Sequence, residues 1–90
     1  MKVTLKFRYP FYEWFGQQQR TLTVGEGCTV GEAIEELMSD PAYSDAAQEK
    51  SGFFLGELRA LYAVGGGVVK KDHVLKDGDI VSVLSTYIGG

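Results

Sequence analysis

The first nine residues alternate. Val3, Leu5, Phe7 and Tyr9 are apolar, and Lys2, Thr4, Lys6 and Arg8 between them are polar. A period of two predicts a β-strand with one buried face, and Pro10 ends it. Residues 20–24, RTLTV, alternate again with Leu22 and Val24 on one side. Two such strands with a short link predict an antiparallel pair. The period then changes. Val30, Ala33, Ile34, Leu37 and Met38 form one apolar stripe at helical spacing, which predicts a helix over residues 29–38. Thr29 and Glu32 have the spacing of a capping box, in which each side chain satisfies a free backbone N–H of the other. Asp40-Pro41 stops this helix.

Residues 42–52, AYSDAAQEKSG, carry little pattern and predict a loop or a short helix. RALYAV, residues 59–64, reads as a buried strand, and Gly65-Gly66-Gly67 after it as a turn that needs positive φ. VVKKDHVL carries a short strand into a polar turn. KDGD, residues 76–79, is a strong turn signal before a last strand, IVSVL, residues 80–84. One amphipathic helix must bury its stripe against one sheet face. The order of elements therefore predicts an α+β fold, a β-grasp (ubiquitin-like) roll. It would have a mixed sheet of about four to five strands and one main helix on one face. Val3, Leu5, Phe7, Leu22, Val24, Ala33, Ile34, Leu37, Leu61, Val81 and Val83 are the expected core. Residues 1–84 are expected to form the globule and residues 85–90 a flexible tail.

Composition narrows the function classes. Twelve acidic against nine basic residues give a net charge of −3, which argues against a nucleic-acid partner, because phosphate binding needs clustered Lys and Arg. No apolar run is long enough to span a membrane, and the alternating N-terminus is unlike a signal peptide. A single cysteine, Cys28, excludes an internal disulfide and a multi-cysteine metal site, and fits a reducing, cytoplasmic compartment.

The candidates for enzyme chemistry are few. His73 is the only histidine and lies in a polar turn. Cys28 precedes a helix N-terminus, where a thiolate would be favoured. A nucleophile also needs a base and an oxyanion site, and no partner for it is evident, so a structural Cys28 is the better reading. The triple glycine lacks the Lys-Ser/Thr of a phosphate-binding loop. No metal site and no stably bound cofactor are expected.

The last strand is apolar on both parities. Val81 and Val83 suit the core, and Ile80 and Leu84 point the other way. With Val68 they form either a docking patch or a surface covered by the unpatterned segment. The aromatics Phe11, Tyr12, Trp14 and Phe15 pose the same choice, between packing under the first two strands and anchoring an interface. The chain then closes on STYIGG. A terminal glycine pair is either a neutral frayed end or a thin lead for a reactive carboxylate.

KVTLKF, TVGEAIEEL, LKDGDIV and the final GG, in this order, resemble the MoaD/ThiS sulfur-carrier family. MoaD is the small subunit of molybdopterin synthase, and ThiS is the thiamine sulfur carrier. The length of the segment after the helix is closer to MoaD. Ser85-Thr86 stands where MoaD-like tails commonly carry Pro-Pro, and Gly65-Gly66 where the family has Asn-Gly. The resemblance implies a non-enzyme whose Gly90 carboxylate is adenylated by an ATP-using activating enzyme and converted to a thiocarboxylate. Gly89 and Gly90 would pass the narrow part of the partner's site, and Tyr87 and Ile88 would anchor behind them. The implied partners are the adenylating enzyme, a sulfur donor protein and a sulfur acceptor such as a molybdopterin synthase large subunit. Carriage for thiamine, tungstopterin or cysteine synthesis, ubiquitin-like protein modification, and an inert β-grasp interaction module remain the alternatives.

Overall fold

The computed structural model describes residues 1–51 and 60–85. Strand β1 (Lys2–Phe7) leads into a five-residue helix α1 (Phe11–Phe15) and strand β2 (Gln19–Thr23). Helix α2 (Val30–Met38) and helix α3 (Pro41–Ser51) follow, then strands β3 (Leu61–Val64), β4 (Gly67–Val69) and β5 (Ile80–Leu84). The strands form one mixed sheet in the order β2-β1-β5-β3-β4. Its central pair, β1 and β5, is parallel, while the other pairs are antiparallel. This is the β-grasp arrangement that the element order predicts.

The local chemistry explains each join. The capping box is present in both directions: the Glu32 amide donates to Thr29 Oγ1 (3.2 Å) and the Thr29 amide to Glu32 Oε1 (3.1 Å). Gly65 and Gly66, at φ 61° and 85°, make the two-residue turn between β3 and β4, since only glycine takes two successive positive φ values cheaply. The KDGD turn is tied to β1. Asp77 Oδ1 accepts from the Lys2 amide (2.7 Å), and the Gly78 amide donates to the Lys2 carbonyl (2.7 Å). Asp79 Oδ2 accepts from the Lys76 amide (2.8 Å). The turn thus delivers β5 alongside β1 at a fixed register, Thr4 against Ile80 through Phe7 against Val83.

The inner sheet face carries Val3, Leu5, Phe7, Leu22, Tyr62, Val81 and Val83, all buried. Val30, Ala33, Ile34 and Leu37 of α2 are buried with them. Val24 is half-buried and packs on this core.

Two expectations are corrected, and one open choice, between a loop and a helix, falls to the helix. Leu61 is not in the core: it is 36% exposed, and Tyr62 is buried in its place. In ALYAV every position is apolar, so no alternation marks which parity faces inward. The unpatterned segment is an eleven-residue helix through Ser51. Only Tyr43 and Ala47, one turn apart, are buried on it, which leaves too narrow a stripe for periodicity to show. β1 stops at Phe7, short of Tyr9, and the aromatic run that follows forms α1.

That run is mostly structural. Phe11 is buried, and Phe15 packs edge-on against Phe7 and Tyr43, with ring centroids 4.9 and 5.1 Å apart. Tyr43 also accepts a hydrogen bond from Arg20 Nη1 (3.2 Å) and donates one to Gln17 Oε1. An aromatic cluster therefore fastens α1 and α3 to one end of the inner face.

Candidate functional site

Cross-strand partners point their side chains to the same side of a sheet. On the outer face, Leu61 stands beside Leu84, Ala63 beside Ser82 and Val68, and Thr4 beside Ile80. Ile80 is 54% exposed and Val68 67% exposed, while Leu84 is half-buried. Helix α3 packs on α1 and α2, so the part of the unpatterned segment that is described, through Ser51, does not cover this patch. Among the described residues, none of the helices covers the apolar strip. Sequence reasoning picked out Ile80, Leu84 and Val68 but missed Leu61, which belongs to the strip because its parity is opposite to that expected.

The strip has a charged border. On β1 the outer positions are Lys2, Thr4 and Lys6, and Arg8 follows them; all three basic residues are exposed. The helix side is opposite in sign, with Glu32, Glu35 and Glu36 exposed on α2 and Glu26 before it. A molecule of net negative charge thus offers a basic, apolar sheet face. A partner matching it needs an apolar centre and an acidic rim.

The strip leads to the chain end. The Arg8 amide donates to the Val83 carbonyl (3.0 Å), so the pairing of β1 with β5 continues one residue past β1. Leu84 closes β5, paired with Leu61, and Ser85 follows it at the end of the sheet where Arg8 and Tyr9 follow β1. The proposed tail residues Tyr87, Ile88, Gly89 and Gly90 lie outside the described residues.

A cavity lies elsewhere. A groove of about 610 Å³ is lined by residues 23–28 with Glu32, Glu35 and Glu36. It opens beside Val24, whose amide donates to the Met1 carbonyl (2.8 Å), at the amino end of β1. Six strand residues, about 20 Å, separate that end from the tail exit. Cys28 in its wall is poorly suited to nucleophilic work. Desolvation raises its thiol pKa, and the negative charges of Glu32 and Glu36 add to the shift. The helix start nearby offers no free donors to a thiolate either. The Val30 amide donates to the His73 carbonyl (3.0 Å), the Gly31 amide to the Lys71 carbonyl (2.8 Å), and the Glu32 amide to Thr29. These contacts give the His73 segment a structural role through its backbone. Among the described residues no group of His, Cys, Asp and Glu could hold a metal ion, and no helix is long and apolar enough to cross a membrane.

Comparison with known proteins places this geometry. No protein-family model and no curated protein matches the chain by sequence. Solved structures do match it. SAMP1 from Haloferax volcanii aligns over 100% of both chains with a TM-score of 0.78 and 22% identity. A protein assigned as molybdopterin converting factor subunit 1 from Pyrococcus furiosus aligns over 94% of this chain and 97% of its own. Its TM-score is 0.72 and its identity 26%. A complex of subunits 1 and 2 of molybdopterin-converting factor from Helicobacter pylori contains a chain that covers 100% of both, with a TM-score of 0.64 and 20% identity. The chain is therefore a ubiquitin-like β-grasp protein. Within that class its fold is of the MoaD/ThiS-like type that the sequence motifs resemble.

Proposed function

We propose that this chain is a sulfur carrier in which the Gly90 carboxylate is the working group, serving molybdopterin synthesis. The observation that supports this reading is the position of the apolar strip, which runs to Leu84 at the carboxyl end of β5, six residues before Gly90. Ile80, Leu84, Val68 and Leu61 dock the globule, Tyr87 and Ile88 lie along the partner's groove, and Gly89 and Gly90 enter its narrow part. Glycine suits that place because a Cβ there would crowd the walls and restrict the backbone.

The chemistry follows from the poor electrophilicity of a carboxylate. A carboxylate oxygen of Gly90 attacks the α-phosphorus of ATP on an adenylating partner, and pyrophosphate leaves. A persulfide on a donor protein then displaces AMP, and a thiol reductant cleaves the acyl disulfide to release the thiocarboxylate. The partners hold the catalytic groups and the ATP; this chain supplies the acyl group. The likeness to a chain solved with its molybdopterin-converting partner supports an acceptor of that kind.

The test is intact mass after incubation with the adenylating enzyme of the source organism, ATP and a sulfur donor. Wild type should gain the difference between a sulfur and an oxygen atom, and so should Cys28→Ser. Deleting Gly90 should abolish the gain. Sulfur found on Cys28 with Gly90 unchanged would overturn the reading. A second reading is favoured by the likeness to SAMP1, a small archaeal modifier protein. In it Gly90 is joined to a lysine of a target, and a covalent Gly90–lysine adduct in place of the thiocarboxylate would establish it.

A further inference from the structure

One part of the aromatic run is not used by the core. Tyr9 is 65% exposed, although it sits two residues before a helix whose first side chain is buried. Its ring meets that of the half-buried Tyr12 edge-on, with centroids 6.1 Å apart. An exposed, mutually supported aromatic pair is pre-organised at low entropic cost, which is why such rings serve as interface anchors.

Its place in the fold decides what it meets. β1 and β5 are parallel neighbours, so their carboxyl ends lie side by side. β1 continues into Arg8, Tyr9 and α1, and β5 continues into Ser85 and the residues after it. Phe7 is level with Val83 and the Arg8 amide donates to the Val83 carbonyl (3.0 Å), so Ser85 follows β5 at the same end of the sheet at which Tyr9 follows β1. Five residues follow Ser85. Drawn straight, they reach at most about 17 Å. Any protein that receives Gly90 in a recessed site must therefore bring the mouth of that site close to Tyr9 and Tyr12.

We propose that Tyr9 and Tyr12 form a second contact, distinct from the apolar strip, against the mouth of the adenylating enzyme's active site. There they position the tail for entry and select this carrier over others. The adenylating enzyme is the occupant because both fates of Gly90, sulfur transfer and lysine modification, require its activation first. Arg8, exposed between the strip and the tyrosines, calls for an acidic side chain on the same lip. The proposal rests on the carrier reading and adds to it a contact made by side chains outside the tail. These are positioning residues: they touch neither ATP nor the reacting carboxylate.

The test is ATP–pyrophosphate exchange by the adenylating enzyme of the source organism, with the carrier titrated. Tyr9→Ala, at an exposed position, should raise the KM for the carrier at least about tenfold and leave kcat within about twofold. Tyr9→Phe should restore the wild-type KM, because the ring and not the hydroxyl makes the contact. Tyr12→Ala should act in the same direction, with a thermal melt reporting any separate loss of fold. An unchanged KM for Tyr9→Ala overturns the proposal, and so does a fall in kcat at constant KM. Normal activation with slowed sulfur transfer to an acceptor also overturns it, since the occupant would then be the acceptor. Failure of the carrier reading is distinct: wild type itself would support no exchange, and the proposal would fall with it.

Discussion

The two faces of the sheet are made from the same strands and obey different rules. On the inner face Val3, Leu5, Phe7, Tyr62, Val81 and Val83 are all buried, in one cluster with side chains of the helices. On the outer face Lys2, Thr4, Lys6 and Ser82 are the solvated partners expected of a one-sided sheet, yet Leu61, Val68, Ile80 and Leu84 interrupt them. Burial needs no further explanation, because removal of apolar area from water holds the fold together. Exposure of Leu61, Val68 and Ile80 beside the half-buried Leu84 gives no such return, and apolar patches of this kind mark interaction sites. The inner face answers for stability, the outer face is proposed to answer for binding, and substitutions can pull the two apart.

The largest effect belongs to the inner side. Leu37 of α2 is buried against the sheet, and Leu37→Ala should cost about 2–5 kcal/mol in a urea denaturation series, with the outer strip untouched. Alkaline pH probes the same side without a core deletion. Burial pushes the Tyr62 phenol up to about 12. The fold favours its neutral form, so this contribution is intact below the unfolded value near 10 and is lost as pH climbs through about 12. The loss should approach ~2–3 kcal/mol, and Tyr62→Phe should remove that part of the pH dependence.

Outer-face changes should leave the fold nearly alone. Leu84→Asp and Ile80→Asp should shift the urea midpoint little, by less than about 1 kcal/mol, while binding to the adenylating enzyme weakens markedly by titration calorimetry. Unaltered binding by both variants would remove the distinction between the faces. The smallest effect is expected at Cys28, which belongs to neither face. Its raised pKa leaves little thiolate at neutral pH. Iodoacetamide should alkylate it more slowly than a free cysteine, and the rate should rise on unfolding.

How much of this was legible follows from where polar residues interrupt the apolar ones. In β1 every second residue is polar, so face and register could be read directly. The capping box and the KDGD turn were legible because their side chains bond to backbone only a few residues away. Leu61 was misplaced because β3 offers no polar marker. Helix α3 was obscure because Tyr43 holds it through rings on β1 and α1, contacts far away in sequence. The apolar strip could be suspected from the double parity of β5. Its openness could not, since that depends on which side α3 packs. The aromatic run held two populations that spacing alone does not separate: Phe11 and Phe15 turn inward, and Tyr9 turns out.

The central position of β5 also bears on how the molecule is made. Thr4 must find Ile80 across most of the chain before the sheet closes, a long-range pairing that is slow to form. Until it does, β2-β1 and β3-β4 are separate hairpins, and isolated hairpins are marginal in water. A chain arrested in synthesis or clipped before residue 80 has nothing to join them. The last strand is the keystone, and the segment carrying the glycine pair hangs from it. Every molecule that folds has therefore already been built as far as Leu84, so a partner that recognises the closed sheet selects against incomplete copies without inspecting the last residues.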